Sequence, residues 1–360
     1  MSWQVVDHLT IYREEGMYGA HPNVLRTQTG ELLALFHRSP FVGGSHHAHP
    51  LFDVRACRSA DEGQTWGGPE LITTDPRGGV IDFGTHTLAD GSLFLHASTV
   101  ELMPVEGSHQ EANEWISRPG IGFWVRSFDH GRTWTHPVRF PSLPDAVNGA
   151  PAEHTGICRS GLLEMPEGRL LLPGKATEQP DGAQPFFGML RASRDKGETW
   201  EYAGRIAEDE VAHFSEPAIY RTLAGRILVL FRCHPRRPEH RYPFLAEVHS
   251  DDGGQSFSPW RQTTMKGCPG HLLGLKDGRI FATVGTRWEG QMGCLARVLE
   301  AEGQDLDTAP DLVVRADSHG SDCGYPWSVE LEDGRVLVVY YYTYEDGLRG
   351  IEGTVVQETS

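Results

Sequence analysis

The stretch SADEGQTW, Ser59 to Trp66, returns as SFDHGRTW (Ser127 to Trp134), as SRDKGETW (Ser193 to Trp200) and, altered, as SDDGGQSF (Ser250 to Phe257). Its residue types describe a tight turn. The Asp carboxylate can accept from neighbouring backbone amides. The Gly two residues later takes a positive φ that other residues resist. The closing Trp wedges a large apolar surface beneath the turn. The phrase therefore marks the tip of a β-hairpin. The copies start 68, 66 and 57 residues apart (127 − 59, 193 − 127, 250 − 193). That period is too long for one hairpin and suits a four-stranded sheet with its loops.

A second repeat runs out of step with the first. It reads as an apolar run, a Gly turn and a second apolar run: NVLRTQTGELLALF, HTLADGSLFLHA, GLLEMPEGRLLLPG, AIYRTLAGRILVLF, LLGLKDGRIFATVG and SVELEDGRVLVVYY. The turn glycines are Gly30, Gly91, Gly168, Gly225, Gly278 and Gly334. Apolar runs flanking a Gly turn are a strong hairpin signal. Six such hairpins, each followed by a less regular pair of strands, predict an all-β fold. The expected form is a six-bladed β-propeller of four-stranded antiparallel blades, one domain over residues 1–360. The N-terminal stretch WQVVDHLTIY, Trp3 to Tyr12, supplies the strand that closes the last blade.

Composition agrees and narrows the function. A chain of 360 residues with 39% hydrophobic content can bury a sizeable core, and its 42 Gly and 23 Pro suit many turns and few long helices. No run of about 18 apolar residues occurs, so no membrane span or membrane partner is expected. The N-terminus shows no basic segment followed by an apolar one, which points to a cytoplasmic protein. The six cysteines stand singly, with no CxxC pair. They read as reduced, buried thiols, with no metal or redox cofactor expected. A net charge of −17 argues against nucleic acid as a partner. A local arginine cluster could still hold a small anion. Nothing in the sequence sets an oligomeric state.

The phrase SxDxGxTW is the Asp-box, and Asp-boxes at blade spacing resemble the sialidase (neuraminidase) superfamily of six-bladed propellers. The resemblance spans essentially the whole chain. It implies that the boxes lie on outer hairpins, away from the active site, and that chemistry sits elsewhere.

In a propeller the first strand of each blade lines the central channel. Nine residues before each turn glycine stand His21, Asp82, Arg159, Glu216, Pro269 and Tyr325. Five of the six are polar or ionisable, which a purely structural ring does not require. The resemblance gives two of them roles. Glu216, in SEPAIYRTLAGRILVLFR, matches the family glutamate, with Arg232 as a carboxylate-binding arginine. Tyr325, in GYPWSVELEDG, matches the family tyrosine. A phenol with a pKa near 10 needs an adjacent base to act as a nucleophile, and the Tyr–Glu pair meets that need. The structural alternative is that both side chains only bond backbone at the start of a strand.

Two departures from the family pattern stand out. His21 occupies the place of the first family arginine, and an imidazole cannot supply a guanidinium fork. The loop that carries the family's Asp acid/base reads SPFVGGSHHAHPLFD here, with His46, His47 and His49 and no acid before Asp53. Both departures point away from sialic acid itself. His47 and His49 are candidates for proton transfer, for metal ligands in the HHAH cluster or for solvated loop residues. His46 reads as solvated. Arg287, in GTRW, is the candidate third arginine, and Arg38, ending the first hairpin, is a candidate for the pocket. Arg159 and His86 are substrate-binding candidates from their channel positions. His96 is a further channel or rim position. Arg236 or Arg237 could rim the pocket. Trp288 and Trp327 could stack on a sugar or belong to the core.

Three functions remain open. The first is a glycoside hydrolase on a small, anionic saccharide, with Tyr325 as nucleophile, Glu216 as its base and a His or Asp from the first-blade loop as acid; Asp82 joins this catalytic set. The second is a uronate lyase, with His21 or His86 as base and Tyr325 as acid. The third is a sugar-binding propeller without turnover.

Overall fold

The computed structural model describes residues 2–43, 47, 49–75, 79–104, 115–144, 156–177, 185–235 and 243–359. Among them every regular element is a β-strand, and no helix is long and apolar enough to cross a membrane.

The strands form four-stranded antiparallel runs in chain order. One holds Gly79–Thr87, Leu93–Pro104, Trp115–Ser127 and Val138–Arg139. The next holds Leu163–Glu164, Leu170–Ala176, Phe187–Ser193 and Glu201–Ala207. Then come Ala212–Arg221, Ile227–Pro235, Phe244–Ser250 and Arg261–Gln262, and after them Gly270–Gly274, Ile280–Trp288, Gln291–Leu299 and Leu312–Arg315. An eight-stranded sheet contains the rest. Half of it is Met17–Arg26, Leu32–Pro40, Asp53–Ser59 and Glu70–Thr73. The other half is Gly324–Glu330, Val336–Thr343 and Arg349–Glu358, with the N-terminal strand Trp3–Tyr12 antiparallel to the last of these. A single parallel pair, Tyr18 with Arg349, joins the halves. Successive sheets packed in a closed ring make the fold a β-propeller.

Strand periodicity explains the ring. Successive side chains point to opposite faces of a strand, so one apolar strand feeds two cores. Leu32, Ala34 and Phe36 join a core with Val339 and Tyr341 of the last run, whereas Leu33 and Leu35 join a core with Val80 and Phe123 of the next. The same division recurs between every pair of successive runs and returns to the first. The apolar repeats in the sequence are thus the second strands, each buried on both faces.

The two turn repeats fall at different places. In all six apolar hairpins the turn glycine donates to the residue three before it, as Gly30 N does to Thr27 O at 3.0 Å. The SxDxGxTW phrase lies instead between the third and fourth strands of its run. In each copy the Ser Oγ donates to the Asp Oδ1 at 2.8 Å. The hydroxyl four residues after the Asp donates to its other oxygen, at 2.6 Å in Asp129. These bonds hold the Asp129 carboxyl down at about 2, the Thr133 hydroxyl contributing most. A Cβ on the phrase's glycine would meet the preceding run: Leu337 at Gly63, Leu33 at Gly131, Phe94 at Gly197 and Leu171 at Gly254. The phrase is a staple between neighbouring sheets.

Candidate active site

Four of the six residues that stand nine before a turn glycine share a backbone distortion. His21, Asp82, Glu216 and Tyr325 have φ of 51, 53, 47 and 54°. Such left-handed conformations cost roughly 1–2 kcal/mol for a residue with a Cβ. Each sits in a bulge where strand pairing skips two residues, between Ala20 and Asn23, Ile81 and Gly84, Ser215 and Ala218, and Gly324 and Trp327. In three of the four the second skipped residue is a proline (Pro22, Pro217, Pro326), which has no N–H to lose from the ladder. Bulges re-aim side chains, and these four are turned toward one place.

Tyr325 is its centre. The phenol donates to Glu216 Oε1 at 2.5 Å. Arg232 Nη1 donates to Glu216 Oε2 at 2.9 Å and to the Tyr325 hydroxyl at 2.9 Å, while Arg232 Nε faces His234 Nε2 at 2.6 Å. Arg159 and Arg287 flank the phenol ring, their Cζ atoms 5.2 and 5.1 Å from its centroid. Arg159 donates to the Pro326 carbonyl at 3.1 Å. Arg287 donates through Nε to the Cys323 carbonyl at 2.9 Å and through Nη2 to the Tyr341 hydroxyl at 3.2 Å. His21 lies 4.4 Å from the Tyr325 ring, centroid to centroid. His47 stacks on His21 at 5.3 Å, with Nδ1 3.3 Å from His21 Nε2.

The electrostatics follow from burial and charge. Burial alone would raise Glu216, but Arg232, the phenol bond and Arg159 outweigh it and hold its carboxyl down at about 2. Glu216 is therefore an ionised acceptor at neutral pH. Burial, together with the Glu216 charge, pushes the Tyr325 phenol up, so the proton rests on the phenol and points at the carboxylate. Burial raises Asp82, and Lys175 opposes that rise. Burial drives His21 well down and also lowers His47. Both histidines are neutral at neutral pH.

The ring count marks residues that the structure brings together, and a second count marks those that face them. Seven residues after each turn glycine stand His37, Ser98, Lys175, Arg232, Gly285 and Tyr341. Pairing places them opposite the bulges, as with Arg232 opposite Ser215 and Tyr341 opposite Gly324. Lys175 and Tyr341 were legible by that count. Arg287 lies two residues past Gly285, on the same face of its strand.

Four expected residues go elsewhere. Arg38 follows the position of the second count by one, so alternation turns it to the opposite face. There it bonds Tyr12 Oη at 2.9 Å and Glu14 at 2.9 Å, and His37 takes the inward direction instead. His49 is buried and accepts from Leu51 N at 3.0 Å, capping a local turn. His86 lies past its bulge, farther along the first strand, and lines an axial cavity of about 680 Å³ with Val24, Leu162, Ile219, His271 and Trp327. His96 is buried beside Ser160 Oγ at 3.1 Å. His46, Arg236 and Arg237 lie outside the described residues. Among the described residues no group of three or more His, Cys, Asp or Glu gathers to hold a metal ion.

Beside Tyr325 a second cavity of about 560 Å³ is lined by Arg232, Arg287, Lys266, Phe244 and Trp288. Trp288 is exposed there. Arg159, Lys175, Arg232 and Arg287 outnumber Glu216 and Asp82 in this region, so the site is locally cationic in an acidic chain. The arrangement can bind an anion beside a phenol whose proton has a waiting base.

Comparison with known proteins bears on the family and the fold. The model of the BNR repeat-like domain family matches residues 30–338. A sialidase from Paraclostridium sordellii is 24% identical over 200 residues, 53% of this chain and 47% of that protein, so the chain spans about half the length of this curated relative. A crystal structure of a protein of unknown function from Dyadobacter fermentans has a TM-score of 0.89 at 30% identity, covering 99% of each chain. An α-L-arabinanase from Penicillium chrysogenum, solved with arabinobiose, has a TM-score of 0.69 at 15% identity, covering 98% of each chain. The last likeness is one of fold.

Proposed function

The chain belongs to the BNR repeat-like domain family, within the sialidase-like superfamily, and from that premise we propose that it is a glycoside hydrolase acting on an acidic sugar. On this reading residues 1–360 form one six-bladed propeller, the eight-stranded sheet counting as two blades. The observation that carries the reading is the hydrogen-bonded set of Tyr325, Glu216 and Arg232, with Arg287 and Arg159 against the phenol ring.

The chemistry runs in two displacements. Tyr325 Oη attacks the anomeric carbon as its proton passes to Glu216. The leaving oxygen takes a proton from the His21–His47 pair. Water then attacks the anomeric carbon, giving its proton to that pair, as the bond from that carbon to Tyr325 Oη breaks and Tyr325 recovers its own proton from Glu216. The anomeric configuration is retained. A neutral phenol suits an anionic substrate, because a carboxylate nucleophile would repel it. The open Nη2 of Arg232 and Nη1 of Arg287 face no acceptor among the described residues, and they are the groups we assign to the substrate's acid. His21 in place of an arginine argues for a sugar acid other than sialic acid. The arabinobiose in the arabinanase supports a small saccharide as ligand. Six free, buried cysteines suit a reducing compartment and support a cytoplasmic role.

A second reading has its own observation. Two neutral histidines beside Tyr325 are bases at neutral pH, as elimination from a uronate requires. Glu216 ranks hydrolysis first, since elimination has no use for a base on the phenol. The deciding experiment is mass spectrometry of products from a panel of sialylated and uronate-containing oligosaccharides. Fragment masses summing to substrate plus one water support hydrolysis. Masses summing to substrate alone, with an unsaturated uronate, establish elimination. Saturable binding without cleavage across the panel rejects both.

A further inference from the structure

An exposed loop histidine transfers protons efficiently only if something holds it. We infer that Asp322 is the positioning residue of the His21–His47 pair, orienting His47 and sharing the charge when the pair takes up a proton. The inference rests on the hydrolase reading, in which that pair supplies the proton to the leaving oxygen.

Asp322 stands just before the strand that carries Tyr325, and it is 7% exposed. Its Oδ2 accepts from Tyr18 Oη at 2.8 Å and from Arg349 Nε at 3.1 Å. Its Oδ1 accepts from Tyr341 Oη at 2.8 Å and faces His47 Nε2 at 3.6 Å. The carboxylate is thus held by donors from three strands. His47 has a defined neighbour on each nitrogen: Asp322 beyond Nε2 and His21 Nε2 beyond Nδ1. With one proton on the pair, Nε2–H points to Asp322 and Nδ1–H to the neutral His21. That geometry is a carboxylate–histidine–histidine line ending against the Tyr325 ring. Tyr341 ties the line to the cationic side, because its hydroxyl also accepts from Arg287 Nη2. The charged groups facing His47 are Asp322 and Glu216 on one side of the balance and Arg287 and Arg232 on the other. His21 is faced by His47, His37, Arg287 and Arg159. Among the described residues Asp322 is the carboxylate paired with His47, within 4 Å of its Nε2.

The test is a pH titration of the His47 side chain by nuclear magnetic resonance in the whole protein without substrate. It reads the pair itself, so it can fail while the hydrolase reading stands, and the converse holds too. In Asp322→Asn the His47 midpoint falls by about one unit or more, as expected for losing an anion within about 4 Å at a partly solvated site. An unchanged midpoint in a folded Asp322→Asn protein overturns the inference. Asp322→Asn also strips Arg349 of its counter-charge. If it does not fold, Tyr18→Phe decides. That variant keeps the carboxylate and removes one competing donor, so the His47 midpoint rises; a fall or no change overturns the inference.

Discussion

Replacing Glu216 by Gln removes one charge and almost no volume. The amide can still accept from Tyr325, but Arg232 loses its counter-ion in a site where Glu216 is 8% exposed. The structure sets the size of the effect. The Glu216 carboxyl is held down at about 2 against an ordinary 4.5, Arg232 outweighing the opposing effect of burial. At roughly 1.4 kcal/mol per pH unit, the ionised form contributes about 3 kcal/mol to folding at neutral pH. The group is depressed in the folded state. Its contribution is therefore complete above pH 4.5 and is lost as pH falls toward 2. Denaturant unfolding of wild type and Glu216→Gln should differ by about 3 kcal/mol at pH 7 and by about 2 kcal/mol at pH 3.5. Turnover should drop by roughly 10²–10⁴-fold, as for loss of a general base. Equal stability at pH 7, or a difference that does not shrink in acid, would refute the assignment of Glu216 as an ionised partner of Arg232.

Other expectations follow from the same geometry. Tyr325→Phe keeps the ring between Arg159, Arg287 and His21 but removes the nucleophile; turnover should fall by roughly 10⁴-fold or more with saccharide affinity within a few-fold, measured by calorimetry. Trp200, buried against Phe94 and Phe140 with its Nε1 on the Gly197 carbonyl, serves only the staple. Trp200→Ala should cost about 3–5 kcal/mol in denaturant unfolding and leave kcat/KM unchanged at a temperature where the variant is folded. The pH profile separates the two reactions by sign. Burial places His21 and His47 below 6.5, so hydrolysis, which uses the protonated pair, should lose kcat/KM as pH rises through a midpoint below 6.5. Elimination, which uses the neutral form, should gain over the same range.

The fold was legible because its two repeats are written in local chemistry. A Gly that must take positive φ and an Asp that must bond amides leave the same mark at every copy. The phrase held one detail beyond the reading of its glycine: Glu62, His130 and Lys196, the residues before it, are also left-handed, and the fourth copy has Gly253 there. The site was half legible. Glu216 and Tyr325 stand at a fixed count from a turn glycine, so their strand positions follow from sequence. Arg38 shows the limit, since a slip of one residue along a strand reverses the face. Residues reaching the site from loops had no such count. His47 and His49 read alike in HHAH, yet one stacks on His21 and the other caps a turn. Asp322 gave no signal, because its role depends on Tyr18, Tyr341 and Arg349, which other strands bring to it.

The central claim is that water, and not a β-proton, resolves the substrate bond at Tyr325. The most direct measurement is cleavage of an acidic oligosaccharide in ¹⁸O-labelled water, with products weighed and located by tandem mass spectrometry. The account predicts one ¹⁸O on the anomeric carbon of the released acidic sugar and none in Tyr325→Phe, which should not turn over. Cleavage without label, leaving an unsaturated sugar two hydrogens and one oxygen lighter, would contradict it and make the histidines the bases of an elimination.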